Sequence, residues 1–508
     1  MQSTRTFIIP GGRARIDSML ECLDANVCGI LLTSEEDASS LEQDLLVELG
    51  FCIQCFSYTN LSARPSLAQD GDAYAKRAHY LEMLLADARV FFLASRTSNS
   101  TAFNHVILIE TIVTNSVNIL AACAPSRLII AGVPHSLQTF IFVRCCELQG
   151  IPVQIVDVSP IPNRYWIYTD MNQLLVNSIF DSECCPLALD PETVRFIAQQ
   201  RANAGTLDSN GAPISRIGMS NYPAFVKPFC WKREISYITR LVPKKASTIL
   251  LLLFLSTKKW KLARSFLRFA VADRPKCRYI IFFLHYQPEK SSLPEGLGYA
   301  QQWLAIRDLA ACLPIGWKVL VREHPATFIF QYQLGVRTSD FYESISTLSN
   351  VVLSDINVDT FDLIDNAEAT ATLTGKVGFQ SIIRGKPAIA FGLANFKDHP
   401  GCYRVNNLDD LKAAVASIST DVHAVNLTDH MTTDYLHWVE AHTVKCETRV
   451  GRTFQETRTD AFVKLFSLML ARHKLTVCRF ESLNATTQKF LPIESLPFEI
   501  ADCDSKHL

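Results

Sequence analysis

The sequence predicts an α/β protein built from two Rossmann-like, doubly wound parallel sheets. Short apolar runs alternate with helix-length amphipathic segments, the rhythm breaks once near the middle, and it then restarts more clearly. At 508 residues the chain is long enough for two or three domains, each with its own core.

In the first half the runs FIIP, CGILLT from Cys28 to Thr33, FCIQCF, VFFLAS, RLIIA from Arg127 to Ala131 and PVQIVD read as strands with helices between them. From about Ala202 to Lys245 the chain turns to Asn, Gly, Pro and Ser, as in NAGTLDSNGAPIS, which marks an inter-domain connection. The second half carries YIIFFL, WKVLV, NVVLS, EATATL and AIAFG, near-continuous apolar strands of the kind buried on both faces. The expected division is a first domain over 1–205, a connection over 206–265, a second domain over 266–410, helices over 411–475 opening with LDDLKAAVASI, and an irregular tail over 476–508.

Hydrophobic residues at 48% and charged ones at 19% describe a folded chain and exclude disorder. A formal charge of -1, with no Lys/Arg cluster interleaved with aromatics, excludes nucleic acid as a partner. The 16 Cys lie in apolar contexts where Cys acts as a small hydrophobe, which indicates a reduced, cytoplasmic protein. Cys52 and Cys55 have redox or metal spacing but no second pair beside them, so no metal is assigned there. Asp70-Gly71-Asp72 and Asp502-Cys503-Asp504 spell the Asp-x-Asp of cation sites. The first lies in a polar loop and the second in the irregular tail, so metal-independent chemistry without a cofactor is expected.

The N-terminal MQSTRTFIIPGGRAR lacks the apolar core of a secretory signal. The most apolar run, Ile249 to Leu255, is well short of the ~18 residues that span a bilayer. The Lys258-Lys259-Trp260-Lys261 that follows leaves peripheral contact with a membrane, or with membrane-bound polysaccharide assembly machinery, as an open alternative.

Ligands of an open parallel sheet bind outside the carboxyl ends of its strands, so the residues after each strand are the candidates. YIIFFL leads to His285, WKVLV to Arg322 and His324, and EATATL to the turn Thr374-Gly375-Lys376-Val377-Gly378. Two imidazoles, a guanidinium and a helix N-terminus on one edge suit a phosphate or diphosphate. Thr374 is expected to cap the following helix, while Gly375 and Gly378 are expected to let a ligand approach the backbone. The turn is no Walker loop, because GxxxxGK[ST] is absent.

HYQPEKSSLPEG, LAIRDLAACLPIGWKVLVREHP, DTFDLIDNAEATATLTGKVGFQSIIRGKPAIAFG and HPGCYRV together resemble the bacterial capsule and surface polysaccharide biosynthesis proteins, which include the β-Kdo transferases. The likeness is most specific over roughly residues 278 to 408, with weaker pieces at Gly132 to His135 and Pro162 to Asp170. It implies a GT-B type glycosyltransferase: two Rossmann-like domains facing across a cleft, a nucleotide-sugar donor such as CMP-Kdo held by the second, and a saccharide or glycolipid acceptor held by the first. It also implies that His324 contacts donor phosphate, that the TGxxG turn holds the nucleotide, and that Arg322 and Ser381 stand nearby. Gln380 occupies a position where the family tends to have Glu, which changes two acceptors into an acceptor and a donor.

Transfer needs a base for the acceptor hydroxyl, and His135 and Asp170 are the candidates in the first domain. A non-catalytic polysaccharide-binding or capsule-export protein, or a nucleotide-sugar epimerase, would share this pair of sheets.

Overall fold

The computed structural model describes residues 5–10, 27–32, 35–49, 53–64, 71–97, 101–169, 188–202, 261–287, 289–324, 327, 337–356, 358–420, 429–446 and 465. Among these, strands β1 (Thr6–Ile9), β2 (Val27–Leu32), β3 (Gln54–Ser57), β4 (Arg127–Ala131), β5 (Val153–Val158) and β6 (Arg164–Tyr168) belong to the first sheet. Strands β7 (Ala270–Val271), β8 (Tyr279–Phe283), β9 (Lys318–Arg322), β10 (Val351–Ser354), β11 (Ala369–Thr372), β12 (Ala388–Ala390) and β13 (Cys402–Arg404) form the second. A last strand, β14 (Val444–Lys445), returns to the first sheet and pairs antiparallel with β6.

The first sheet runs β14-β6-β5-β4-β1-β2-β3 and is parallel from β5 to β3, while the second runs β13-β12-β11-β8-β9-β10-β7 and is parallel throughout. In each, the chain winds outward in one direction and then in the other. The switch falls between β1 and β4 in the first sheet and between β8 and β11 in the second. All residues of β1 and β11 are buried, as their unbroken TFII and uncharged ATAT require of strands covered on both faces.

Two sequence expectations are corrected. VFFLAS is not a strand but the middle of the helix Ala88–Thr97. Val90, Leu93 and Ala94 fall at helical spacing and are buried, whereas Phe92 is 42% exposed, so the apolar run has period 3.6 rather than 2. The chain after Asn407 is also not helical throughout. Helices Leu408–Ser419 and Asp429–His442 are followed by β14, which carries the chain back across to the first domain.

The helix Ala102–Cys123 is long and apolar enough to cross a membrane. Half of its apolar window is buried in the fold, against the helices Gly71–Leu85, Ala88–Thr97 and Leu137–Leu148.

The domains are joined by a shared apolar cluster. Ile161 and Trp166 from the first sheet and Phe196 and Ile197 from the helix Pro191–Ala202 pack with Phe379, Ile382 and Phe396 of the second domain, and with Tyr435 and Trp438 of the helix Asp429–His442. Trp166 and Trp438 lie 5.4 Å apart by ring centroids. Polar contacts frame the cluster: the Arg164 guanidinium donates to the Glu440 carbonyl at 2.9 Å, and Lys445 pairs with Asp190.

Trp438→Ala is expected to destabilise the protein by about 3–5 kcal/mol, the usual cost of emptying a large aromatic site. Chemical denaturation measures it, and an unmoved midpoint would show that the helix Asp429–His442 does not share the inter-domain core.

Candidate functional site

The switch point of the second sheet is closed by His285. Its backbone is clamped by the buried Gln302, which accepts the His285 N–H at 2.6 Å and donates to the His285 carbonyl at 3.0 Å. Across the gap, His285 Nε2 lies 2.9 Å from Thr372 Oγ1 and accepts the Thr374 N–H at 3.1 Å. An Nε2 that accepts places the ring proton on Nδ1. The Gly375 N–H donates to Thr372 Oγ1 at 3.2 Å. A Cβ at Gly375 would come within 2.7 Å of that oxygen and 3.3 Å of His285 Cε1, so glycine is needed for the turn to close against the imidazole.

Just past the end of β9, His324 keeps part of its surface exposed. Its ring lies 6.0 Å from that of Tyr286. Burial, then the charges of His324 and Arg337, lowers the His285 pKa to about 3. Loss of solvation, then Arg337, lowers that of His324 to about 4. Both imidazoles are therefore neutral at pH 7 and offer N–H donors rather than cations.

Behind them lies an ion pair that sequence reasoning missed. The fully buried Glu323 carboxylate meets Arg337 Nε at 3.0 Å and accepts from the His324 N–H at 2.7 Å, Tyr342 OH at 2.7 Å and Thr327 Oγ1 at 3.2 Å. Arg337 donates to the His285 carbonyl at 3.2 Å and stacks over Phe341 at 4.0 Å. The available signal was a lone acid inside VLVREHP, where an apolar strand should bury it.

Several predicted site residues have other duties. Arg322 is 6% exposed, and its guanidinium donates to the carbonyls of Asp355, Ile356 and Val358, which ties down a turn rather than meeting a phosphate. Burial lowers its pKa to about 10. Thr374 does not cap the helix Lys376–Ile383; Gly375 is the N-cap residue, and the Thr374 hydroxyl donates to the Ser291 carbonyl at 3.0 Å. Gly378 is buried, and a Cβ there would lie 2.4 Å from Phe396 Cζ, so it admits an aromatic ring and not a ligand. Ser381 is fully buried and donates to the Lys386 carbonyl at 3.2 Å. Gln380 Nε2 donates to Gln200 Oε1 at 2.9 Å, which makes it part of the domain junction.

His135 is exposed beyond β4, and its Nδ1 lies 3.1 Å from the Val133 carbonyl, the geometry in which Nδ1 carries the proton and Nε2 is the basic nitrogen. Asp170, Cys52, Asp70, Asp502 to Asp504, Ile249 to Leu255 and Lys258 to Trp260 lie outside the described residues. Among the described residues, no group of three or more His, Cys, Asp or Glu could hold a metal ion.

The carboxyl edge of the first sheet meets this site through the loop after β8. Lys290 Nζ lies 2.7 Å from Asp157 Oδ1, at the end of β5, and 3.2 Å from Glu295 Oε1. Both carboxylates are buried. The Leu393 N–H donates to the Glu295 carbonyl at 2.8 Å, and Asn395 donates to the Val158 carbonyl at 3.3 Å. Leu293 and Ala300 of the same loop pack into the core of the first domain. Burial, with Asp157 nearby, raises the Glu295 pKa to about 7 against the pull of Lys290. The two acids raise that of Lys290.

Two parallel α/β sheets meeting at their carboxyl edges define a GT-B-like class of protein. Residues 309–438 match the family model described as capsule polysaccharide biosynthesis protein. Among solved structures, the Thermosulfurimonas dismutans KpsC, a beta Kdo 2,7 transferase, is 12% identical with a TM-score of 0.26, covering 59% of this chain and 79% of its own. The Neisseria meningitidis UDP-GlcNAc 2-epimerase is 11% identical with a TM-score of 0.23, covering 86% and 98%. The glycotransferase of kitacinnamycin is 14% identical with a TM-score of 0.23, covering 87% and 98%. Values of this size give no residue a role. No curated protein matches the chain.

Gly378→Ala is expected to cost about 1–3 kcal/mol through overpacking against Phe396, read from the denaturation midpoint. Folded pKa values of about 3 for the neutral His285 and His399 lie below the ordinary 6.5, so the unfolded chain binds more protons as pH falls through 6.5 and stability drops on acidification. His324, with part of its surface exposed, adds less. Glu295 acts oppositely: its folded pKa lies above 4.5, so its contribution weakens the fold as pH rises from about 4.5 to about 7. In urea titrations from pH 4 to 7, His399→Asn should flatten the slope and Glu295→Gln should steepen it; identical slopes in all three proteins would refute the assignment.

Proposed function

We propose that the chain is a glycosyltransferase of surface polysaccharide assembly, moving a sugar from a nucleotide-activated donor to a saccharide or glycolipid acceptor. The observation that carries this is the corner at the second sheet's switch point. There His285 braces the turn that opens the helix Lys376–Ile383, His324 follows the neighbouring strand β9, and the loop after β8 reaches Asp157 at the first sheet's edge through Lys290. The capsule family match over residues 309–438 supports the substrate class. A CMP-activated acid sugar such as Kdo is the donor suggested by the sequence resemblance.

The leaving phosphate needs donors held in place before reaction. His324 supplies an imidazole N–H, and the helix end supplies backbone N–H groups and its dipole. His285 acts one step back: its Nε2 is engaged by the turn, so it holds Thr374 and Gly375 where they belong. Arg322 and Ser381 are left out of the donor set, since their polar atoms serve the fold.

The base comes from the first domain's edge. His135 on the loop after β4 and Asp157 at the end of β5 stand on neighbouring strands, joined by the Gly132 N–H donating to the Val156 carbonyl at 2.7 Å. Asp157 is held by Lys290, and its use as a base requires that bridge to open.

His324→Ala is expected to abolish transfer in a protein that still folds; unchanged turnover would sink the phosphate role. Activity lost in Asp157→Asn but kept in His135→Gln assigns the base to Asp157, and the reverse pattern assigns it to His135. Thermal shift against CMP, UDP and GDP tests the donor class, because a nucleotide at 100 times its dissociation constant adds about 2.7 kcal/mol. No shift with any of them would favour a polysaccharide-binding or export protein.

A further inference from the structure

We propose that Arg337 and Glu323 form a positioning pair that sets the two site histidines in register, so that His324 meets the donor phosphate while His285 holds the turn. This rests on the glycosyltransferase reading. The two residues contact the backbone at both site histidines. Glu323 Oε1 takes the backbone N–H of His324 and the Thr327 hydroxyl, while Oε2 takes Tyr342 OH and lies 3.0 Å from Arg337 Nε as an ion pair. Arg337 Nη2 then donates to the carbonyl of His285. One ion pair thus ties the end of β8, the end of β9 and the helix Ser339–Ser346, which carries Tyr342.

The location argues for direction rather than stability. Neither side chain is more than 5% exposed, and a buried ion pair adds little over apolar residues of the same volume because both ions lose their hydration. What apolar packing does not supply is a fixed orientation of the His324 peptide N–H and the His285 carbonyl. Arg322, the last residue of β9, gives its guanidinium to the carbonyls of Asp355, Ile356 and Val358, while Glu323, the next residue, pairs with Arg337. The Arg337 charge also helps keep both imidazoles neutral, as donors of a single N–H.

The test compares the wild type with Arg337→Met/Glu323→Gln, which removes both charges at similar volume, and with Arg278→Met as a control. The control breaks an ion pair with Glu368 at the opposite, amino end of β8. Nucleotide affinity is read by titration with CMP, UDP and GDP, and the histidine ring titrations by NMR. The expected result is a folded double variant that binds nucleotide roughly tenfold or more weakly, since a small displacement of a positioned group has effects of this order. Its His285 and His324 rings should titrate at higher pH than in the wild type, and the control should match the wild type in both readouts.

A folded double variant with wild-type affinity and unmoved titrations overturns the inference. If the wild type itself binds no nucleotide, the functional reading fails instead, and the ring titrations alone decide whether the pair sets the imidazoles. If the double variant does not fold, Tyr342→Phe, which deletes one hydrogen bond to Glu323 and keeps the Arg337 charge, is read by nucleotide titration, with weakened binding supporting the proposal and unchanged binding overturning it.

Discussion

Both sheets are parallel through their centres, and that single constraint organises the molecule. Parallel strands deliver all their carboxyl ends to one edge, and the helices that follow start there with unsatisfied N–H groups. At the switch between β8 and β11 the neighbouring connections diverge to opposite faces, which leaves a crevice. His285 and Thr372 meet in that crevice because Thr372 ends β11 and His285 lies two residues past the end of the adjacent β8. The chemistry assigned to the site depends on this placement more than on any one side chain.

A crevice between two rigid sheets still has to be held at a working width. The apolar cluster around Trp166, Phe396 and Trp438 holds the domains together on one side, while the loop after β8 crosses the cleft and anchors Leu293 in the first domain's core. Lys290 adds a directional contact to this apolar attachment. Two buried carboxylates share one ammonium, so one of them is held short of full ionisation, and Glu295 is the one displaced toward neutrality. The cleft therefore contains a proton-sensitive contact within reach of both domains.

Buried charge is used in three different ways around the second sheet. Arg322 gives its guanidinium to backbone carbonyls, Lys290 bridges domains, and Arg337 pairs with Glu323 behind the histidines. The sequence points the first of these at phosphate, because an arginine at a strand end next to a histidine suits an anion. The error has a physical source. A strand's alternation sends neighbouring residues to opposite faces, and the partners that claim Arg322, the carbonyls of Asp355, Ile356 and Val358, are remote in sequence. The same applies to Ser381 and Gln380, which lie on helix faces turned toward Lys386 and Gln200.

The sequence by itself determined the two α/β halves, nearly all the central strands and the edge on which ligands should bind, because burial on both faces writes continuous apolar runs into the chain and parallel connection directs their ends. It also identified the REHP and TGKVG segments as the residues to examine, and the match over residues 309–438 bears out the family they resemble. Only the tertiary structure decided which polar groups face the cleft. VFFLAS became a helix because its burial follows a period of 3.6, Gly378 proved to make room for Phe396, and the chain after His442 returned to the first sheet as β14. The Glu323–Arg337 and Lys290–Asp157 pairs join residues 14 and 133 positions apart, and contacts of that kind depend on the distance between side chains in the fold, which local pattern and spacing do not encode.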